Sequence, residues 1–286
     1  MKAKAFCPGH ITGFFEIVKA LDLLSSGSRG AGLCISLGAT SEVEILDSEK
    51  KGIEIMINGR PEGAETTRRT IERLMGEDAL AVRVSTKLDL PESQGFGMSA
   101  AGALSAGVSL CELLRIDAKQ AFEAAHCAEI ECSTGMGDVS AIGCGGIVIR
   151  EIAGLPPRGR VRRIEGNPDV VLAIVGDPLK TAGAIIDPEF VARVNCEGGP
   201  RVDDLINSPT IDNLMRLSAS FATQAGLATE KVVRAMTSAS RAGSTSMAML
   251  GNSVFAVGPT DELAAILSEH GRTYTCQVDT DGARIL

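Results

Sequence analysis

The sequence has few aromatic residues and no excess of positive charge. Phe, Tyr and Trp together make up 3% of its 286 residues, with no Trp and one Tyr, and the formal net charge is −8. Proteins that bind single-stranded nucleic acids stack bases on aromatic side chains, and nucleic-acid backbones and anionic membranes both attract basic surfaces. The sequence therefore predicts neither nucleic acid nor a membrane as a partner.

Signals for metal clusters, export and membrane insertion are also missing. The eight cysteines include no C-x-x-C pair and there are only three histidines, so a zinc site has little support. The segment CPGH at 7–10 interrupts any apolar signal segment, and the uncharged stretch 93–111 is too rich in Gly, Ala and Ser to span a bilayer. We expect a soluble, cytoplasmic protein with reduced cysteines.

Hydrophobic periodicity predicts a mixture of strands and helices. Residues 41–59 have the alternation of two successive strands, 81–88 has that of a third, and 99–114 has the spacing of a buried helix. Asp117 begins a capping-box pattern for the next helix, and Thr229 is the predicted cap of a later one. This mixture is typical of an α+β protein.

One stretch in the middle of the chain has the composition of a boundary between domains. Residues 153–160, AGLPPRGR, are rich in Pro, Gly and Arg, and strand and helix patterns resume after them. A chain of this length accommodates two domains. We predict domains at 1–160 and 161–286.

A glycine-rich loop precedes the buried helix. Residues 91–107 are PESQGFGMSAAGALSAG. Glycines allow backbone N–H groups to turn toward a phosphate, and the positive end of a helix points to the same place. Ser99, at the helix start, offers a hydroxyl to the phosphate or its Mg²⁺. The pattern therefore predicts a phosphate-binding loop.

Two other phosphate loops fit this stretch less well. A Walker loop needs a lysine after its last glycine, and none is present. A dinucleotide-binding loop matches at Gly95, Gly97 and Ala100, with Asp117 about 20 residues further on. However, residues 89–94 separate the strand from Gly95, and Asp117 begins a helix instead of ending a strand. A glycine turn with a purely structural role also remains open.

The loop is similar to the P-x-x-x-G-L-G-S-S-A-A motif of the GHMP kinases, which include galactokinase, homoserine kinase and mevalonate kinase. Phe96 replaces the usual Leu, and Met98 replaces the first serine. The resemblance implies that this loop binds ATP. The implied ATP-binding residues are Pro91, Gly95, Phe96, Gly97, Met98, Ser99, Ala100 and Ala101.

The amino-terminal segment FCPGHITGFFEI resembles the first motif of the same superfamily, which follows a short strand and lines the acceptor pocket. The resemblance implies that His10, Thr12 and Gly13 bind the acceptor. His10 stands where mevalonate-type kinases have a lysine. Polarisation of the acceptor hydroxyl and simple hydrogen bonding both remain open for it, as does a turn residue without a catalytic role.

The segment STGMGDVSAIGCGG resembles the part of mevalonate-type kinases that carries a catalytic aspartate. Asp138 matches that aspartate, which implies that it binds the acceptor and accepts or orients its hydroxyl proton. Glu129 matches the acidic residue that binds Mg²⁺ together with Ser99, and Glu131 is the alternative. Residues two apart on a helix point in different directions, so only one of the two should face the site.

A resemblance to the archaeal pantoate kinase branch is carried by the segments PGHITGFF, GSRGAG and TGMGD, and by RAGSTSMAMLGNSVFAVG near the carboxyl terminus. The last segment lacks the usual T-G-A-G-G-G-G motif. The resemblance implies a ribosomal-protein-S5-like α/β domain, a ferredoxin-like α+β domain, and transfer of the γ-phosphoryl group of ATP to the 4-hydroxyl of pantoate. A homodimer fits it. Another GHMP kinase acceptor (homoserine, shikimate or a mevalonate type) and a non-catalytic nucleotide-binding regulator are the alternatives.

The carboxylate of such an acceptor needs a cationic partner. A bidentate arginine holds a carboxylate well. Arg29, within GSRGAG, is the predicted partner because it lies near the first motif in the sequence. Arg150, Lys19 and Lys180 are the alternatives.

Overall fold

The computed structural model describes residues 1–48, 51–78, 80–179 and 184–286, and within these ranges eight strands form one sheet and four form another. The two longest strands, β1 (Lys2–Val18) and β2 (Gly27–Leu46), pair antiparallel over most of their length. The other strands of the first sheet are β3 (Gly52–Ile57), β4 (Arg60–Pro61), β5 (Ala81–Leu88), β6 (Ile147–Ile152), β7 (Arg160–Ile164) and β12 (Arg284–Ile285).

The strand order of the first sheet is β12-β1-β2-β5-β3-β4, and β6 joins β2 and β7. The two strands predicted within 41–59 are present, as the end of β2 and as β3. They are not neighbours, because β5 lies between them, antiparallel to β2 and parallel to β3. β12 returns to β1 at the carboxyl terminus.

A bulge in β1 controls which of its side chains share a face. Thr12 pairs with Gly32 and Phe14 pairs with Ala31, so Gly13 is an extra residue without a partner. Side chains alternate along a regular strand, and one extra residue reverses the alternation. The face that carries Thr12 therefore continues with Phe15 instead of Phe14. The predicted short strand ahead of the first motif is wrong, because the motif lies within a single long strand.

The first half contains four described helices, and α2 (Met98–Leu114) is the central one. It packs on β1 and β2 and is buried along most of its length. Its hydroxyl groups bind the sheet directly: Ser105 Oγ lies 2.7 Å from Ser41 Oγ. α2 begins one residue before the predicted helix and ends at the predicted residue. The others are α1 (Glu65–Met75), α3 (Lys119–Cys132) and α4 (Asp138–Cys144).

The second half forms a four-stranded antiparallel sheet with its own helices. Its strand order is β11-β8-β10-β9. The strands are β8 (Asp169–Ile174), β9 (Ser244–Ala248), β10 (Ser253–Val257) and β11 (Arg272–Gln277), and the helices are α5 (Pro188–Asn207), α6 (Ile211–Gln224), α7 (Glu230–Ala239) and α8 (Thr260–Ser268).

The chain changes from the first sheet to the second between Ile164 and Asp169, a few residues after the division predicted at 160/161. The two halves share one hydrophobic core. Phe221 of α6, for example, makes an edge-to-face contact with Phe15 of β1, with the ring centroids 5.7 Å apart. The two-domain division at that boundary stays a prediction.

Helix caps follow the sequence only in part. Asp117 Oδ1 accepts a hydrogen bond from the Lys119 N–H at 2.9 Å, as a capping residue does. Thr229 stands at the N-cap of α7, as predicted, although its hydroxyl donates to Asn252 Oδ1 and not to the helix. In the described ranges, no helix is both long and apolar enough to cross a membrane.

Candidate active site

A cavity of about 410 Å³ lies where β1, β6, the glycine-rich loop and the turn before α4 meet. This volume suits a small-molecule site. Residues of the loop and of α1 line one end, and residues of β1 with Arg150 line the other. We call these the loop end and the strand end.

The glycine-rich loop is fixed against β1. Gly95 and Gly97 have φ of 79° and 67°, in the left-handed region that favours glycine. The His10 N–H donates to the Phe96 carbonyl at 3.1 Å, and a Cβ on Gly97 would lie 2.9 Å from the His10 carbonyl oxygen. The helix α2 starts directly after Gly97 with no side-chain cap, so its first N–H groups are available to a ligand anion.

Most residues of the predicted phosphate loop line the cavity, but the two alanines do not. Ala100 and Ala101 are buried within α2 and serve its packing. The Ala101 N–H also donates to the Gly97 carbonyl, within the first helical turn. The predicted ATP-binding residues that line the cavity are Pro91, Gly95, Phe96, Gly97, Met98 and Ser99.

At the strand end, the imidazole of His10 lies between a carboxylate and a guanidinium. Its Nδ1 is 2.7 Å from Oδ1 of Asp138, and Nη1 of Arg150 is 3.4 Å from its Nε2. Because a guanidinium can only donate, Nε2 accepts and the hydrogen resides on Nδ1, which donates to Asp138. Burial lowers the pKa of His10 more than the hydrogen bond to Asp138 raises it, so the imidazole is neutral.

Arg150 is a fully buried cation that lacks an acidic partner. It is 1% exposed, and no carboxylate of the described residues lies within ion-pair distance of it. Its Nε has no hydrogen-bond partner there, and Nη2 reaches only Thr12 Oγ1 at 3.5 Å. Burial lowers the pKa of Arg150, but a guanidinium stays charged in proteins. The site therefore contains an unpaired positive charge that faces the cavity.

Glycines of β2 make the space that Arg150 and His10 occupy. A Cβ on Gly30 would lie 2.8 Å from Arg150 Nη2, and one on Gly32 would lie 2.7 Å from His10 Nε2. Both glycines are on the same face of β2 as Ser28, which lines the cavity. Side chains at these positions would collide with the backbone of β1 as well as with the guanidinium and the imidazole.

Glu129 is a buried carboxylate without a hydrogen-bond partner. It is 1% exposed, and neither oxygen has a partner among the described residues. Burial, and then the negative charge of Asp138, raise the pKa of Glu129 well above its ordinary value. Gly135 covers it so closely that a Cβ there would lie 2.5 Å from Oε1. Such an orphaned acid fits a bound cation, which would supply the missing partner.

Glu131 is placed differently. It forms ion pairs with Arg69 and Arg73 of α1, so its charge is already paired. The geometry thus brings Glu129, and not Glu131, next to Asp138.

A chain of hydroxyl groups leads from the loop end toward Glu129. Ser99 Oγ donates to Thr66 Oγ1 at 3.3 Å, and Thr66 Oγ1 lies 3.0 Å from Thr134 Oγ1. Thr134 immediately precedes the glycine that covers Glu129. Thr66 and Thr134 carry no motif signal and were missed by sequence reasoning.

Two residues predicted from the first motifs lie outside the cavity. Arg29 pairs with Glu16 at 2.7 Å and with Asp203 at 2.6 Å, so its charge is already used. Gly13 is the bulge residue of β1, and a Cβ on it would lie 2.2 Å from Ser218 Oγ. Of the other cations considered for the acceptor carboxylate, Lys19 is exposed and does not line the cavity, and Lys180 lies outside the described residues.

Part of the cavity lining belongs to a region with a family match. Residues 64–146, which include α1, the glycine-rich loop and Asp138, match the family described as "GHMP kinases N terminal domain".

Full-length relatives and a solved structure are also similar. The pantoate kinase of Methanocaldococcus jannaschii is 31% identical over 276 residues, which cover 96% of this chain and 99% of that protein. The pantoate kinase of Thermococcus kodakarensis is 32% identical over 270 residues, covering 92% and 89%. A solved "Phosphotransferase related to CoA biosynthesis pathway" has a TM-score of 0.90 at 28% identity and covers 100% of this chain and 99% of its own.

Proposed function

The chain belongs to the pantoate kinase family of the GHMP kinases, and we propose that it transfers the γ-phosphoryl group of ATP to the 4-hydroxyl of pantoate, in coenzyme A biosynthesis. Membership confirms the predicted resemblance and the α+β GHMP kinase fold. It also makes the chain an ATP-dependent phosphotransferase with an alcohol as acceptor. The single observation that carries the choice of acceptor is Arg150, a buried cation without an acidic partner at the strand end of the cavity.

The loop end binds the phosphates of ATP. Gly95 and Gly97 turn the backbone toward the cavity, and the free N–H groups at the start of α2 direct positive charge to the same place. Phosphoryl transfer depends mainly on such positioning and charge neutralisation. The hydrogen bond from the His10 N–H to the Phe96 carbonyl holds the loop against β1.

The residues present fit a magnesium ion. Bound Mg²⁺ would neutralise charge on the transferred phosphoryl group. The described residues contain no cluster of three or more His, Cys, Asp or Glu side chains arranged to hold a metal. Mg²⁺ that arrives with a nucleotide usually takes only one or two carboxylates in addition to phosphates and water. Ser99 lines the cavity, and the orphaned carboxylate of Glu129 lies directly behind Gly135, which also lines it; together they would supply such a set.

Asp138 receives the proton of the acceptor hydroxyl. Its Oδ1 accepts from the Nδ1 hydrogen of His10, and its Oδ2 has no hydrogen-bond partner in the described ranges. The hydrogen bond fixes the orientation of the carboxylate. Oδ2 is then free to accept the 4-hydroxyl as general base, while the neutral His10 positions the acid and donates no proton to the substrate.

Arg150 binds the carboxylate of the acceptor. The guanidinium is fixed by its contacts with His10 and Thr12, and its Nε remains unpartnered. Arginine binds carboxylates with paired N–H donors, and in a buried site that ion pair is strong. The imidazole separates Arg150 from Asp138, so an acceptor that reaches both must carry its carboxylate and its reacting hydroxyl at opposite ends. Pantoate has this arrangement.

The cysteines support a reducing location. All eight are free thiols, and most are buried. Proteins of reducing compartments have this character, so the proposal includes a cytoplasmic location. A homodimer stays a prediction.

The proposal is tested by measuring ADP release from Mg-ATP with pantoate, homoserine, shikimate and mevalonate offered separately. Turnover that depends on pantoate is the expected result. Turnover with another of these alcohols alone would keep the phosphotransferase and reject the acceptor. Bound ATP without turnover on any of them would favour a non-catalytic regulator.

A further inference from the structure

The strand end of the cavity has one hydrophobic side that the phosphoryl transfer itself does not use. Phe15, Ile17 and Ile185 all line the cavity, although each is only 4–6% exposed. We call these three residues the apolar wall. Arg150 and Thr12 line the same end.

The bulge at Gly13 places two members of the wall beside the acceptor-binding groups. Because the alternation of β1 reverses there, Phe15 and Ile17 continue the face that carries Thr12. Across the sheet, Phe15 pairs with Gly30, and Gly30 pairs with Arg150. The wall is therefore adjacent to the guanidinium that binds the carboxylate.

The third member comes from the second half of the chain. Ile185 belongs to the short 3₁₀ helix Ala184–Ile186, which precedes α5. The helix α5 is attached to β1 at the wall itself, since the Asn195 side chain accepts from the Ile17 N–H at 2.6 Å and donates to the Ile17 carbonyl at 2.9 Å. This pairing holds α5 against the β1 part of the wall.

We propose that the apolar wall binds the two methyl groups on C3 of the acceptor and so selects a branched 2,4-dihydroxy acid over its unbranched counterpart. This inference rests on the proposed function. With the carboxylate on Arg150 and the 4-hydroxyl on Asp138, the carbon between them faces the wall. Contact between methyl groups and apolar side chains removes both from water, which favours binding.

The first test compares two acceptors on the unmodified enzyme. 2,4-Dihydroxybutanoate keeps the carboxylate and both hydroxyls of pantoate and lacks only its two methyl groups. One methylene in a hydrophobic pocket changes kcat/KM by about 10–200-fold, so we expect kcat/KM to be about 10²-fold or more higher for pantoate. Equal values for the two acceptors would overturn the inference.

The second test changes the wall. Ile185→Thr should lower kcat/KM for pantoate about tenfold and leave the value for 2,4-dihydroxybutanoate within about twofold, because the new hydroxyl opposes only the methyl groups. Ile186→Thr is the matched control, since Ile186 lies on the same turn, is 58% exposed and does not line this cavity. Equal losses with both acceptors, or an equal effect of the control, would overturn the inference.

The two proposals fail differently. If the enzyme does not phosphorylate pantoate, the proposed function and the proposed role of the apolar wall are both rejected. If it phosphorylates pantoate without discriminating against the unbranched acid, only the wall falls. The acceptor comparison needs no variant, so it decides the question even where a variant does not fold.

Discussion

His10 donates its Nδ1 hydrogen to Oδ1 of Asp138 over 2.7 Å, a contact between residues 128 positions apart in the sequence. The imidazole is buried and neutral, and its other nitrogen accepts from Arg150. One side chain thus orients both the group that takes the acceptor proton and the group that binds the acceptor carboxylate. The expectations below follow from this arrangement and from Glu129 behind it.

Asp138→Asn should lower kcat by about 10²–10⁴-fold, the usual effect of losing a general base. An asparagine retains the shape of the side chain but does not take up the proton at neutral pH. ATP binding, measured by calorimetry, should be unchanged because the loop end is intact. A near-normal kcat would show that Asp138 does not accept the proton.

His10→Asn and His10→Ala should differ. The asparagine amide places an N–H donor near the position of Nδ1, whereas alanine leaves Asp138 without its donor. We expect kcat to fall about tenfold with asparagine and about 10²-fold with alanine, within the range that a positioned proton-transfer group contributes. Equal losses, measured in steady-state kinetics at saturating ATP, would contradict a positioning role for Nδ1.

Arg150→Lys should raise KM for pantoate. Hydrogen bonds to charged groups contribute about 1.5–3 kcal/mol, and lysine lacks the paired N–H donors of arginine. The substitution should therefore raise KM for pantoate about 10–150-fold, while KM for ATP stays nearly constant. Arg29→Lys is the control, because Arg29 is paired with Glu16 and Asp203 outside the cavity. A larger rise in KM for pantoate with the control than with Arg150→Lys would restore Arg29 as the carboxylate partner.

Glu129→Gln should make the ligand-free enzyme more stable at neutral pH. The pKa of Glu129 in the folded state is raised above its unfolded value of about 4.3. Below a pH of about 4.3 the carboxyl group is protonated in both states, so its burial does not require removing a charge from water. As the pH rises from the unfolded toward the folded pKa, the unfolded state gives up the proton first and wild-type stability falls. Each pH unit of this window costs about 1.4 kcal/mol of the free energy of unfolding.

The measurement is the Tm of both proteins, without ligands, from pH 4 to pH 8. The advantage of Glu129→Gln should be smallest near pH 4 and should increase with pH. The variant should also need more Mg²⁺ for half-maximal turnover, whereas Glu131→Gln should not, because Glu131 is paired with Arg69 and Arg73. A Tm difference that is constant with pH would refute a buried, proton-binding Glu129.

Features that depend on a short contiguous segment could be predicted from the sequence. The phosphate loop needs only Gly95, Gly97 and the start of α2, and these are adjacent in the chain. Its helix begins within one residue of the predicted position. The predicted strands of 41–59 are present for the same reason, because alternation is a local pattern.

Features that depend on pairing between distant segments could not be predicted from the sequence. Nothing local indicates that β5 inserts between β2 and β3, since that pairing joins residues far apart in the chain. The bulge at Gly13 is equally invisible to a simple alternation. Without the bulge, the β1 members of the apolar wall, Phe15 and Ile17, would lie on the face of β1 opposite His10.

The choice of Arg29 shows the same limit. Ser28 and Gly30 face the cavity side of β2. Arg29 lies between them, so its side chain points to the opposite face, where it pairs with Glu16. The usable signal was a single arginine in the otherwise apolar start of β6, IVIREI, since a charge in a buried strand needs a partner. Arg150 is that residue.

The most direct measurement of the central claim is the position of the phosphate in the product formed from pantoate and Mg-ATP, read from phosphorus–proton coupling in NMR. With the carboxylate on Arg150 and the reacting hydroxyl on Asp138, phosphorus should couple to the two methylene protons on C4. Coupling to the single proton on C2, or an absence of phosphorylated pantoate, would contradict the account.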